Sequence, residues 1–151
     1  MKVRHLFNNK GFDLYFVAPE QPLTDAVAVM MRHRVGSLAV LENEDLVSIV
    51  TERDVMQAVH SRLDDLTAIT VREVMAPRLI WCNADDSIDD AMELMFHNEL
   101  GKRVRHLPVM DGDRLMGIIS IGDIVQALLT EVRFENRLLR NYIKNWPEAG
   151  I

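Results

Sequence analysis

In "SIDDAMELM", apolar residues recur at intervals of three and four, and Ala91, Met92, Leu94 and Met95 mark one face of a helix. Two β-rich runs follow, "HLPVM" and "RLMGIIS", and the "DGD" between them predicts a tight hairpin. A further helix starts near Asp123 and carries Ile124, Val125, Ala127, Leu128 and Leu129 on its apolar side. With the short apolar run "LIWC" ahead of the first helix, the order is strand, helix, strand, strand, helix.

The same pattern is written earlier in the chain. "YFVAPEQPLTDAVAVM" from Tyr15 matches "IWCNADDSIDDAMELM" from Ile80 at a spacing of 65, and "LAVLENEDLVSIVTERDVMQAV" from Leu38 matches "LPVMDGDRLMGIISIGDIVQAL" from Leu107 at a spacing of 69. A duplicated unit fixes the architecture before any single element does. The expected fold is α+β, built from two β-α-β-β-α repeats. The expected organisation is a lead-in over 1–14, a first repeat over 15–60, a linker over 61–78, a second repeat over 79–130 and a helical tail over 131–151. The linker has a capping box at Thr70 and Glu73. In the tail, Val132, Leu138, Leu139, Tyr142 and Ile143 continue the helical period, and such a stripe needs a surface to lie on, either its own domain or a partner chain.

Composition narrows the class. The chain has 151 residues, is 48% hydrophobic and carries a net charge of -6, which fits a globular protein and argues against a general nucleic-acid surface. Its apolar runs fall far short of the roughly 20 residues that span a bilayer, and the amino terminus lacks the apolar core of a secretory signal. A soluble, cytoplasmic protein with no membrane partner is expected. Cys82, the one cysteine, reads as a buried structural thiol, and Met30, Met31, Met92 and Met95 read as core.

The chemistry gathers where each hairpin meets its second helix. In "SIVTERD" and "GIISIGD" a hydroxyl residue, Thr51 or Ser120, stands three positions before an acid, Asp54 or Asp123. At a strand-to-helix junction the hydroxyl joins unpaired amides and the helix dipole in favouring an anion such as phosphate. The carboxylate one turn on suits the paired hydroxyls of a ribose. The spacing is equally that of a capping box, as at Ser87 and Asp90.

Resemblance carries the reading further. "VGSLAVLENEDLVSIVTERDV" and "RHLPVMDGDRLMGIISIGDIV" resemble CBS domains, the cystathionine-β-synthase type of regulatory repeat, and the chain looks like a stand-alone tandem pair of the small bacterial kind. The resemblance implies two repeats about a pseudo-twofold axis and clefts for an adenosine nucleotide, with AMP or NAD favoured and ADP or ATP also accommodated. It places Ser120 and Asp123 on phosphate and ribose in one site, with Ile80, Trp81 and Leu107 near the base. It places Thr51 and Asp54 in the other, with Tyr15, Phe16 and Leu38. Each cleft is open to groups borrowed from the other half. Ser48 stands where the family pattern has glycine, as at Gly117, and a side chain there is expected to crowd a ligand in the first site.

The extra residues of the second copy fall in "GKRVRH", where Arg105 and His106 are the leading phosphate contacts, and Arg53 is similarly placed beside Thr51. No metal-ligand spacing, Walker loop, GxGxxG or nucleophile elbow is present, so neither a metal nor an enzyme is expected. A nucleotide sensor acting on an unknown target protein, with a homodimer as its assembly, is the leading expectation. An interaction module that binds no nucleotide stands against it.

Overall fold

A computed structural model describes residues 1–62 and 65–145; residues 63–64 of the linker and 146–151 of the tail lie outside the description. Two halves repeat each other element by element. The first comprises β1 (Phe16–Val17), α2 (Leu23–His33), β2 (Ser37–Glu42), β3 (Asp45–Thr51) and α3 (Glu52–Ser61); the second comprises β4 (Cys82–Asn83), α5 (Ile88–Phe96), β5 (His106–Asp111), β6 (Arg114–Ser120) and α6 (Ile121–Lys144). Each half holds a three-stranded sheet, β1-β2-β3 or β4-β5-β6, in which the first pair is parallel and the second antiparallel. Register repeats as well. Ser37 pairs with Thr51 as His106 pairs with Ser120, and an irregularity follows Val40 as one follows Val109.

Local chemistry explains the hairpins. In the first, Asn43 and Glu44 both take positive φ, 52° and 70°, the backbone that a two-residue turn needs to match strand twist. In the second, Gly112 supplies a φ of 64° without steric cost. Thr51 and Ser120 cap α3 and α6, and each box is reciprocal. The predicted box at Thr70 and Glu73 caps α4 (Val71–Val74).

Each half has its own core. Val17, Ala26, Leu38, Val40 and Val50 fill the first, and Cys82, Ala91, Leu107, Val109, Ile119 and Ile124 the second. Both cores are completed by a segment from outside the repeat. The lead-in, a 3-10 turn (Val3–Leu6) running into α1 (Phe7–Lys10), crosses to the second half, where Val3, Leu6 and Phe7 are buried. The stretch between the repeats turns back, and its Ile69 and Val71 are buried in the first. The backbones dock alike: Val3 N–H donates to Asp86 O and Arg4 N–H to Ala84 O, as Val71 N–H donates to Gln21 O and Arg72 N–H to Pro19 O. One arginine tethers each, Arg4 to Asp85 and Asp111, Arg72 to Glu20 and Glu42.

Met31 corrects one expectation. Met30 and Met95 are core and Met92 packs against it, but Met31 is 75% exposed, because one helical step from Met30 turns its side chain about 100° off the apolar face. No helix among the described residues is long and apolar enough to cross a membrane.

Candidate functional site: a cleft shared by the two halves

The halves meet where β2 lies against β6, and a cleft of about 330 Å³ opens beside that seam. The lead-in lends it Lys10, Asp13 and Leu14. The first half lends Tyr15 and the turn Arg34–Val35–Gly36–Ser37, and the second lends His106, Ile118 and Ser120.

Strand alternation decides which residues reach the cleft, since neighbours on a strand point to opposite faces. Ser37 and His106 point in, so Leu38 and Leu107, each one residue on, are fully buried in the two cores and do not line the cleft as base contacts. Tyr15 lines it and stacks on His33 with ring centroids 3.9 Å apart, whereas Phe16 is 57% exposed. In the second copy Ile80 packs against its own core and Trp81 is half exposed. Alternation also corrects the reading of Ser48. It faces away from the hydroxyl site, is fully buried, and donates its hydroxyl to Ala76 O at 2.6 Å, so it crowds no ligand. At its counterpart Gly117, a Cβ would lie 2.5 Å from Phe7 Cε1. Glycine there admits the lead-in ring.

The pairing across the cleft is crossed relative to the expectation. Tyr15 of the first half shares its space with Ser120 of the second, and Thr51 is not among the lining residues. At Thr51 the hydroxyl accepts from Asp54 N–H and donates to Asp54 Oδ2 at 3.0 Å, closing the box on itself. At Ser120 the hydroxyl accepts from Asp123 N–H at 3.1 Å, and Asp123 Oδ2 accepts from Ser120 N–H at 2.8 Å while Lys10 Nζ stands 3.0 Å from the same oxygen.

The cleft is cationic on two sides. Lys10 comes from the lead-in, and Arg34 from the end of α2, where it takes the left-handed conformation and closes the helix by donating its N–H to Met30 O. Spacing alone pointed to neither, because both sit outside the hairpin-to-helix junction. Of the residues singled out in the basic loop, His106 lines the cleft, close to Glu52 at Gly36. Burial holds its imidazole below the ordinary histidine value; Glu52 and Asp123 raise it, and Lys10 and Arg105 lower it, by less than burial does. Arg105 and Arg53 are exposed and off the cleft; Arg105 meets the junction through its carbonyl, which accepts Ile121 N–H. Cys82 is buried in the second core, its thiol pushed up to about 12 by desolvation. Two cationic side chains, Lys10 and Arg34, an aromatic ring, Tyr15, and the capping hydroxyl of Ser120 thus converge from three parts of the chain.

Comparison with known proteins fits this architecture. The mitochondrial CBS domain-containing protein CBSX3 of Arabidopsis thaliana is 34% identical over 80% of this chain and 59% of its own length, so the chain matches somewhat more than half of that relative. The CBS domain-containing protein YhcV of Bacillus subtilis is 32% identical over 72% of this chain and 74% of its own. An inosine-5′-monophosphate dehydrogenase of Methanocaldococcus jannaschii is 35% identical over 76% of this chain but only 21% of that enzyme. Among solved structures, the CBS-domain containing protein ATU1752 of Agrobacterium tumefaciens superposes with a TM-score of 0.76 at 33% identity, covering 84% of this chain and 98% of that one. The CBS domain model itself matches twice, over residues 4–61 and 71–130, and the chain belongs to the CBS-domain family as a tandem pair.

Proposed function

We propose that this CBS pair is a regulatory module whose shared cleft takes an adenosine nucleotide, AMP or NAD ahead of ADP or ATP, and passes its occupancy to a partner protein. The observation that carries the reading is the convergence of Tyr15, Arg34, Lys10 and Ser120 on one cleft. Tyr15 offers a face to a base, Lys10 and Arg34 offer charge-assisted bonds to phosphate, and the start of α6 adds its dipole. About 330 Å³ lies at the small end of ligand pockets, which run from about 300 to 1,000 Å³, and suits one nucleotide unit. A ligand there touches both halves, so it favours whichever relative placement gives it the better contacts.

One observation favours the second reading, an interaction module without nucleotide. Asp123, the ribose contact, already holds Lys10 and the Ser120 amide. A nucleotide must draw Lys10 onto its phosphate to free that carboxylate.

The deciding experiment is a thermal-shift series with AMP, ADP, ATP, NAD and adenosine, followed by Asp123→Ala. At about 100 times its dissociation constant a ligand stabilises the fold by roughly 2.7 kcal/mol. Asp123→Ala should abolish that shift while costing about 1 kcal/mol of stability, the worth of a cap. An absence of any shift in nucleotide-free protein leaves the interaction module as the function.

A further inference from the structure

The two hydroxyl-and-acid junctions differ in what reaches their acid. Residues 3–7 and 71–75 dock alike, but the lead-in then adds α1, a further helical turn that does not follow α4. Val3, Leu6 and Phe7 anchor that turn in the second core, and Lys10 at its end brings Nζ to 3.0 Å from Asp123 Oδ2. A carboxylate oxygen has two lone pairs. At Asp123 Oδ2 one is taken by Ser120 N–H at 2.8 Å and the other by Lys10. At Asp54 Oδ2 both bonds come from Thr51, its amide at 2.8 Å and its hydroxyl at 3.0 Å.

That difference sets a condition on any ligand. The paired hydroxyls of a ribose bind a carboxylate side by side, one on each oxygen, so Asp123 accepts the diol in full only after Lys10 withdraws. The side chains of Lys10 and Asp123 are only 33% and 21% exposed, and parting them without another anion leaves two partly buried charges unpaired. A phosphate on the same ligand is that anion. A phosphate alone takes Lys10 but strips Asp123 of its counter-ion, and a diol alone finds Asp123 already held. We propose that Lys10 is a latch on Asp123, which makes the cleft selective for a ribose and a phosphate carried on one molecule, a ribonucleotide, over either group by itself. The inference rests on the nucleotide reading of the cleft and adds the residue that sets its selectivity.

Calorimetric titration of the full chain with AMP and with adenosine, in the native protein, Lys10→Met and Lys10→Arg, separates a latch from a plain phosphate contact. Lys10 belongs to neither core, so each variant keeps the native fold. Lys10→Met should tighten adenosine roughly fivefold, the factor that an ion pair of this exposure is worth, because Asp123 is then open to the diol. The same variant should narrow the preference for AMP over adenosine by about tenfold or more, the factor carried by a bond to a charged group. Lys10→Arg, which keeps the pair, should return both affinities toward native. A plain phosphate contact gives the narrowing without the tightening, so an adenosine affinity unchanged or lower in Lys10→Met overturns the latch and leaves the nucleotide reading standing. If AMP fails to bind the native chain, the reading and the latch fall together.

Discussion

Gly117 is where a missing side chain decides the packing. With Phe7 Cε1 2.5 Å from where a Cβ would sit, Gly117→Ala forces the ring or the strand to move, and overpacking of that kind costs about 1–3 kcal/mol. Urea unfolding should register that loss, and the same substitution in a Phe7→Ala background should cost much less, since coupled neighbours do not add. An equal cost in both backgrounds would place the strain elsewhere. His106 gives a prediction with a sign. Burial lowers its folded value below the ordinary histidine value of about 6.5, so the fold favours the neutral ring. Its contribution is therefore complete above about pH 6.5 and is lost as pH falls from there toward the folded value. The native chain should lose stability over that interval more steeply than His106→Asn, measured as melting temperature against pH. On the proposed reading, a phosphate beside the ring would act oppositely, drawing a proton on, so affinity for a nucleotide should rise as pH falls and the Asn variant should lack that rise.

Among the elements, the lead-in is the one whose place in the sequence misleads. Phe7 is 1% exposed in the core of the half farthest from it along the chain, so Phe7→Ala should cost about 3–5 kcal/mol. Phe12, which stacks on Phe7 but is 62% exposed, should cost far less when truncated. Comparable losses at the two positions would mean that the lead-in does not complete that core. Strands, hairpins and the long helices were legible because each announces itself within its own residues, through alternation, a turn or a cap. The exchange of outer segments was not, because it is a tertiary contact between residues some 80 apart, as in Val3 N–H to Asp86 O. Its trace in the sequence is brief: "VRHLF" at 3–7 and "VREVM" at 71–75 share a valine, an arginine and an apolar ending. That match is too short to be found without knowing where each packs. Met31 shows the same limit at the level of one residue, where an apolar side chain beside the core face was taken for part of it.

For the whole molecule, the consequence is that one cleft belongs to neither repeat. The hydroxyl-and-acid junctions were visible as motifs, but a motif is read along the chain and a cleft is assembled across it. Tyr15 was therefore grouped with Thr51 of the same repeat, when the fold sets it opposite Ser120, 105 residues away. Lys10 and Arg34 went unseen for the same reason. The crossed pairing makes a prediction that no reading by separate repeats makes. By calorimetric titration with AMP, Tyr15→Ala in the first half and Ser120→Ala in the second should weaken one and the same binding event, and the double variant should lose little more than the worse single, as expected of contacts to a shared ligand. Thr51→Val, in the same repeat as Tyr15, should leave that event nearly unchanged. If instead Thr51→Val matches Tyr15→Ala and Ser120→Ala does not, each repeat binds on its own. Any coupling between the halves would then have to come from somewhere other than the ligand.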